Sequence, residues 1–479
     1  MEFADTTKAG VTEGTLARVA LRFTDFAERW FPDAFVFVAL AVAIVVVGAL
    51  FNGAAPMAVA SAFGDGYWSL IVFTMQMALM VLSGYVVAVS APVERFITWL
   101  ASLPKTGRGA ITLAAAMSMT MSLIGWAMSL VFGAMLVRAL GRRADLTMDY
   151  RAAGAAAYLG MGATWALGIS SSAAQLQANP GSMPKALLEI TGVIPLTQTI
   201  FLWQSVLLMS LIFALSVVVA HFSAPSIEKS VTAEHIGIDL SPAKADETRP
   251  SRPGEWLEYS PLLTLVLVGI SVLWFINEFQ TKSVLTAVSN LNTYNFFFIT
   301  LGLLLHWRPR NFLKAVQKAM PATGGIIIQF PLYGAIAAIL TQAKNAAGVS
   351  ISDQIAHAFV SMTTHDTFAI AVGIYSAVLG MFIPSGGGKW LLEAPYVMQA
   401  ANELKVHLGW TVQIYNAAEA LPNLINPFFM LPLLSIAGLK VRDIVGFTFL
   451  QFLLHTPFVL FLLWLLAMTL TYVPPVMPG

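Results

Sequence analysis

The chain has 479 residues, 57% of them apolar and only 11% charged, with a mean hydropathy of +0.75. Soluble proteins carry about 25% charged residues, so most of this chain is expected to lie in lipid. The lack of cysteine excludes disulfides, thiol catalysis and cysteine-ligated metals, and a net charge of +1 with basic residues spread around the loops gives nucleic acid no footing.

Residues 1–32 are polar and mixed in charge, without the apolar core and cleavage site of a signal peptide. Within them Leu16, Val19, Phe23, Phe26 and Trp30 fall at helical spacing opposite Arg18, Arg22 and Glu28, which fits a helix on the membrane surface or a soluble amphipathic cap. About 20 apolar residues cross a bilayer. The spans expected on that basis are 33–52, 67–90, 152–178, 198–222, 259–277, 288–306, 324–342, 411–437 and 445–472. Two further segments, 109–140 and 367–402, are too long for one crossing and awkward for two. As single helices they would run about 48 and 54 Å, against a hydrocarbon core of about 30 Å.

Loop charge decides between these options. With the N-terminus cytoplasmic, the C-terminus outside and both long segments entering and leaving on one side, the inner regions are 1–32, 91–108, 138–151, 223–258, 306–323 and 438–444. They hold 21 of the 26 Lys and Arg residues. The outer loops hold four: Lys185, Lys282, Lys344 and Lys405. Such a bias is what the positive-inside rule demands. A crossing at 109–140 would put Arg138, Arg142, Arg143 and Arg151 outside. Each long segment is therefore expected to be a re-entrant hairpin.

The halves also resemble each other. Gln76 precedes a surface stretch (Val93 to Leu100) and the first hairpin; Gln329 precedes a similar stretch (Ile351 to Ala358) and the second. The pair of glutamines is expected to brace the hairpins. Each hairpin is followed by one broken span and one plain span. The expected organisation is an amphipathic segment 1–32, a first repeat 33–222 with hairpin 109–140, a cytoplasmic linker 223–258, a connecting span 259–287, and a second, inverted repeat 288–479 with hairpin 367–402. Inverted repeats place a site near the midplane between the halves.

The most informative stretch is Pro384-Ser385-Gly386-Gly387-Gly388-Lys389-Trp390. A proline and three glycines cannot continue a helix, and bare backbone is not tolerated facing lipid. A glycine run can also serve close helix packing, but packing does not explain a lysine at that depth. The tip is expected to offer the Ser385 hydroxyl, the N–H groups of Gly386, Gly387 and Gly388, and Lys389 to an anion. The first-repeat counterpart lies in Ser118, Ser122, Gly125, Trp126 and Ser129, with a feebler break.

The broken spans add Gly168, Ser170, Ser171 and Ser172 in one half, and Asn416, Glu419, Pro422, Asn423, Asn426 and Pro427 in the other. Hydroxyls, amides and freed carbonyls suit Na⁺, while half-helix N-termini suit a carboxylate. The substrate candidates are Ser385, Gly386, Gly387, Gly388, Lys389, Ser170, Ser171, Ser172, Asn423 and Asn426. Those for the coupling ion are Glu419, Asn416, Ser122, Gly125 and Gly168. Glu419 is a proton carrier or a partner of Lys389, with Glu393 one turn beyond that lysine. His455 reads as a packed residue, and Trp126 and Trp390 as packing.

At Gly380-Met-Phe-Ile-Pro384-Ser-Gly-Gly-Gly388-Lys-Trp390, together with Gly168-Ile-Ser-Ser-Ser-Ala173, the chain resembles the AtoE-like short-chain fatty acid transporter family, over nearly all of 15–475. That family is similar to a broader ion-transporter superfamily with dicarboxylate/sodium symporters. The resemblance implies an all-α polytopic fold, a scaffold and a moving transport domain carrying two hairpins, homodimerisation through the scaffold and an elevator motion.

A short-chain fatty acid anion such as acetoacetate or butyrate needs one positive site and a small apolar pocket; a dicarboxylate would recruit a second cation. Uptake against an inside-negative potential costs about 2.3 kcal/mol per charge per 100 mV, so an accompanying H⁺ or Na⁺ is expected and no other cofactor. The expected function is therefore cation-coupled symport of short-chain monocarboxylates across the cell inner membrane. The alternatives are a Na⁺/H⁺ antiporter or exporter of other organic anions on the same scaffold, and, from another class, an integral-membrane enzyme. The seven scattered histidines give an enzyme no catalytic or metal cluster.

Overall fold

The computed structural model describes residues 34–241, 252–282, 284, 287, 290–383 and 385–477. The expected surface helix of 1–32, part of the linker and Pro384 itself lie outside these residues. The described chain is helical, with one isolated bridge between Gly192 and Val476.

In the first half the α-helices are α1 (Ala34–Phe51), α2 (Pro56–Ser69), α3 (Ile71–Ala88), α4 (Ala91–Ser102), α5 (Gly107–Ile124), α6 (Trp126–Gly141), α7 (Tyr150–Leu159), α8 (Ser172–Ala178), α9 (Lys185–Thr191) and α10 (Trp203–Ser223). The second half contains α11 (Glu255–Tyr259), α12 (Leu262–Thr281), α13 (Leu291–His306), α14 (Pro309–Ala319), α15 (Gly324–Gln342), α16 (Ile351–Met362), α17 (Phe368–Phe382), α18 (Gly386–Glu403), α19 (Leu408–Asn423), α20 (Pro427–Ala437) and α21 (Val441–Ala467). Among the described residues six helical runs are long and apolar enough to cross a membrane, or seven if the bent pair α19–α20 counts as one. This is a multi-pass membrane protein.

Some boundaries differ from expectation. The span foreseen at 67–90 begins at Ile71, because the chain turns at Leu70 after α2. The inner loop foreseen at 306–323 is helical, and α14 runs through a short 3₁₀ turn into α15 as one stretch of 34 residues. Apolar patterning cannot foresee a polar extension of a span beyond the bilayer.

Both over-long segments are broken in the middle into antiparallel helix pairs. In the first, Gly125 stands alone between α5 and α6 with extended backbone (φ −157°, ψ 110°). In the second, Ser385 takes up an extended conformation and its hydroxyl accepts the Gly388 N–H at 3.2 Å, capping α18. Folding back is visible in the cross-pair contacts: Tyr375 Oη lies 2.8 Å from Tyr396 Oη, and Ser376 Oγ donates to Glu393 Oε1 at 3.2 Å. In the first pair Gly133 packs beside Ser118.

The broken spans also break where expected. After α7 the chain passes through a π turn (Gly160–Thr164) and a 3₁₀ turn (Trp165–Leu167) before α8. α19 and α20 meet at 58°, with Asn426 capping α20 and Pro427 in its first position. α5 packs on α6, α7 and α10, while α17 packs on α19 and α21. α15 is the common wall, touching α1, α2, α3 and α18.

Part of the linker is pinned down. The Arg138 guanidinium donates to the Asp239 and Ile436 carbonyls, and Arg142 Nε to Leu240 O at 2.6 Å. Asp149 accepts from the N–H groups of Arg151, Ala152 and Val231. Residues 231–240 thereby fasten the base of the first helix pair to the start of α7.

Candidate functional site

Three consecutive glycines open α18, and each meets an aromatic ring from another element. A side chain at Gly386 would overlap the six-membered ring of Trp165, at the bend between α7 and α8. One at Gly387 would press on Phe330 and on Ser172 Cβ at 3.2 Å, and one at Gly388 would enter the Tyr333 ring. Phe330 and Tyr333 both come from α15. The run thus does more than break a helix: it lets rings seat directly on backbone.

Those contacts shape a cavity of about 320 Å³ where the tips of both helix pairs approach each other. Trp126 and Ala127 reach it from the first pair, and Ser385, Gly386 and Gly387 from the second; Ser172 lines it from the start of α8. Its wall is mainly apolar, through residues such as Met161, Leu130 and Phe330. Polar groups come from Ser172, Ser385, Gln329 and Tyr85, and none of its described lining residues is charged. α6 starts at Trp126 and α18 at Gly386. The opening N–H groups of a helix have no intrahelical acceptor and carry positive partial charge, so this is a place where an anion finds donors without a fixed cation.

Lys389 is not among those donors. Its side chain is fully buried and turned into the interior. Nζ donates to Ser376 O at 2.8 Å, Ser376 Oγ at 2.7 Å and Glu393 Oε1 at 2.9 Å, lies 2.9 Å from Glu419 Oε2, and sits 4.4 Å from the centre of the Tyr415 ring. The expectation that Lys389 faces the substrate is therefore not met by this geometry: the i,i+4 spacing to Glu393 turns it along its own helix. Lys389 is paired instead with Glu393 and Glu419, and partnership with Lys389 is one of the two roles expected of Glu419.

The remaining predicted residues are spread over several contacts. Ser122, Gly168 and Ser170 join the first pair to the broken span: Ser170 Oγ donates to Ser122 O at 2.5 Å, Ser122 Oγ lies 2.8 Å from Thr164 Oγ1, and Gly168 packs on the Leu123 backbone. Gly125 faces Tyr294 Oη, which donates to Ile124 O at 2.5 Å. Ser171 Oγ donates to Asn416 Oδ1 at 3.0 Å, tying the two broken spans together, and Asn416 Nδ2 donates to Gln413. Asn423 is buried with both side-chain polar atoms unpartnered, one turn past Glu419. Asn426 is spent on capping. Of all these only Ser172 reaches the cavity.

Gln76 and Gln329 diverge. Gln76 is held by Asn292 and Ser182, whereas Gln329 lines the cavity. His455 is packed between Ser216 and the Gln451 carbonyl. Sequence reasoning missed Ser376, Tyr415, Tyr333 and Phe330. For Ser376 a signal existed: a hairpin folded about 384–385 pairs position 376 with 393.

Residues 15–466 match the family model described as short chain fatty acid transporter. The chain is 32% identical over 437 residues to an Escherichia coli (strain K12) protein named "Putative short-chain fatty acid transporter", covering 90% of this chain and 96% of that one. It is 30% identical over 445 residues to a Haemophilus influenzae protein of the same name, with the same coverage. Among solved structures it is similar to the Alcanivorax borkumensis YdaH transporter (TM-score 0.57, 14% identity, 91% of this chain and 96% of that chain). It is similar also to Neisseria gonorrhoeae MtrF (TM-score 0.54, 13% identity, 96% and 99%). At these identities the structural likeness speaks for the fold alone. The match over almost the whole length shows that this chain belongs to the short-chain fatty acid transporter family, a family of transporters rather than of enzymes.

Proposed function

We propose that the protein is a cation-coupled symporter that takes up short-chain monocarboxylates, such as acetoacetate or butyrate, across the inner membrane. The observation that carries this reading is the cavity between the two tips. It joins helix N-termini and two serine hydroxyls to an apolar wall, the combination one carboxylate with a short tail requires. The substrate's carboxylate lies against Gly386, Gly387, Ser385 and Ser172, with its tail toward Met161 and Leu130. A dicarboxylate would leave its second charge against that wall, where burial without a partner costs several kcal/mol.

In this reading both helix pairs are re-entrant hairpins of an inverted repeat, and they move as part of a transport domain against a dimeric scaffold. The positive-inside bias puts Tyr85, Ala322 and Gly325 toward the cytoplasm. Since these residues line the cavity, the conformation described is open inward. A separate cleft lined by Lys185, Thr341 and Gln342 then lies on the outer side of the same α15 wall. The coupling cation, H⁺ or Na⁺, belongs to the buried polar groups around Glu419.

Uptake of labelled butyrate and acetoacetate into proteoliposomes, with imposed H⁺ or Na⁺ gradients, tests this. Saturable uptake driven by one of the gradients and blocked by unlabelled monocarboxylate is expected. Cation flux that ignores organic acids would contradict it.

A further inference from the structure

Lys389, Glu393 and Glu419 are all fully enclosed. One ammonium and two carboxylates leave one negative charge uncompensated. A buried charge that is neither paired nor solvated costs far more than a fold can spare, so a further cation must join the group. The chain's own ammonium already fills the obvious cation position: its four oxygen neighbours, from Ser376, Glu393 and Glu419, stand at 2.7–2.9 Å. A metal cation there would need to displace it, since hard cations collect several oxygens at once. Three carboxylate oxygens accept no hydrogen bond, Glu393 Oε2, Glu419 Oε1 and Glu419 Oε2, and of these only Glu419 Oε2 stands against the ammonium, at 2.9 Å. A proton needs one such oxygen and almost no room.

We infer that the coupling ion is a proton, carried by the Glu393–Glu419 pair across the fixed ammonium of Lys389. This rests on the symport reading above and specifies its cation. On loading, an O–H bond forms at one free carboxylate oxygen and the group becomes neutral; on release the proton passes to water on the opposite side, and no other bond changes. The groups facing the pair are Lys389 and Tyr396 on α18, Tyr415 on α19, Tyr375 on α17 and Tyr333 on α15. All four tyrosines are neutral at physiological pH by their ordinary values. Tyr158 on α7 is engaged by the Asn423 carbonyl at 2.7 Å, and His455 on α21 by Ser216. Gly380 lets Glu419 come close, since a side chain there would lie 3.0 Å from Oε2.

The position of the cluster also explains how a proton could sense substrate. Lys389 follows Gly388 directly, three residues beyond the cavity-lining Gly386 on the same helix. Tyr415, whose ring covers the ammonium, donates its hydroxyl to the Gly386 carbonyl. A carboxylate settling on the first turn of α18 therefore acts on the same rigid turn that holds the ammonium.

The test has two readouts on the reconstituted full-length protein. The first is the initial rate of labelled butyrate uptake in Na⁺-free proteoliposomes under an inside-alkaline pH gradient, against protein-free liposomes and beside Na⁺-free counterflow. Initial rates are needed because diffusion of the neutral acid reaches the same plateau. The second is the infrared band of a protonated carboxylic acid, assigned with Glu419→Gln and Glu393→Gln. The expected result is counterflow together with a pH-gradient-driven rate at least fivefold above the protein-free rate. A carboxylic-acid band at pH 7 should persist when Na⁺ is added and disappear in one of the two variants, whose gradient-driven rate falls tenfold or more. Counterflow with accumulation driven only by Na⁺, a missing band, or a band removed by Na⁺ would each overturn the proton. Absence of counterflow would instead overturn the symport reading, and the band would still decide the proton site.

Discussion

The ring of Trp165 rests directly on Gly386, so that a single added methyl at 386 would overlap it. The two residues belong to different halves of the chain, one from the bend between α7 and α8 and the other from the first turn of α18. Their contact forms one wall of the cavity. Gly386→Ala should therefore reduce the uptake rate at least tenfold, because overpacking of about 1–3 kcal/mol falls on the substrate-facing turn. Adding Trp165→Leu should restore part of it. Equal activity of the alanine variant and the wild type in proteoliposomes would show that the ring does not press there.

The buried lysine holds its surroundings together through two ion pairs. Removing one partner of a buried pair leaves an uncompensated charge and costs about 3–5 kcal/mol. Lys389→Met should lower the melting temperature in detergent far more than Ser385→Ala does. A lysine facing an open cavity would give a small shift, and that outcome would move Lys389 back to the substrate.

Tail selectivity should follow the apolar wall. Each buried methylene contributes about 0.8 kcal/mol, close to a fourfold change in affinity. Apparent affinity should climb by that step from acetate to butyrate and stop once the tail meets the opposite wall, with Met161→Phe moving the optimum to a shorter acid. Inhibition constants across the acid series measure it; a flat series would place the tail outside the cavity.

Asp149 anchors the segment after α10 through the Val231 N–H at 3.0 Å while capping α7. Asp149→Ala should cost about 1 kcal/mol or more through the lost cap, and should release residues 231–240 to limited proteolysis from the side of Arg142. Protection unchanged from the wild type would mean that the segment is held by its apolar contacts instead.

Much of the architecture was legible because it rests on coarse forces. Among the described residues apolar length found seven of the nine expected spans, while those foreseen at 33–52 and 288–306 are not among the helices long and apolar enough to cross. Loop charge together with length argued that 109–140 and 367–402 fold back on themselves, and the structure breaks them at Gly125 and just before Gly386. The glycine run pointed to the tip, and the Asn426-Pro427 pair to the bend between α19 and α20. Side-chain direction was not legible. Lys389 lies next to the tip in sequence, yet a helix carries it a turn away from the cavity and onto Glu393 and Glu419. The aromatic partners of the glycines come from α15 and from the α7–α8 bend, at separations that no local pattern encodes. Ser170 and Asn426 looked like ligands because hydroxyls and amides do; the backbone breaks beside them use those groups up.

The most direct measurement is the position of a bound monocarboxylate, seen as density for 4-bromobutyrate in the reconstituted or crystallised protein. The carboxylate is predicted beside Gly386, Gly387 and Ser172, with the bromine toward Met161. Density on the Lys389 ammonium, or only in the cleft by Lys185 and Thr341, would contradict the account.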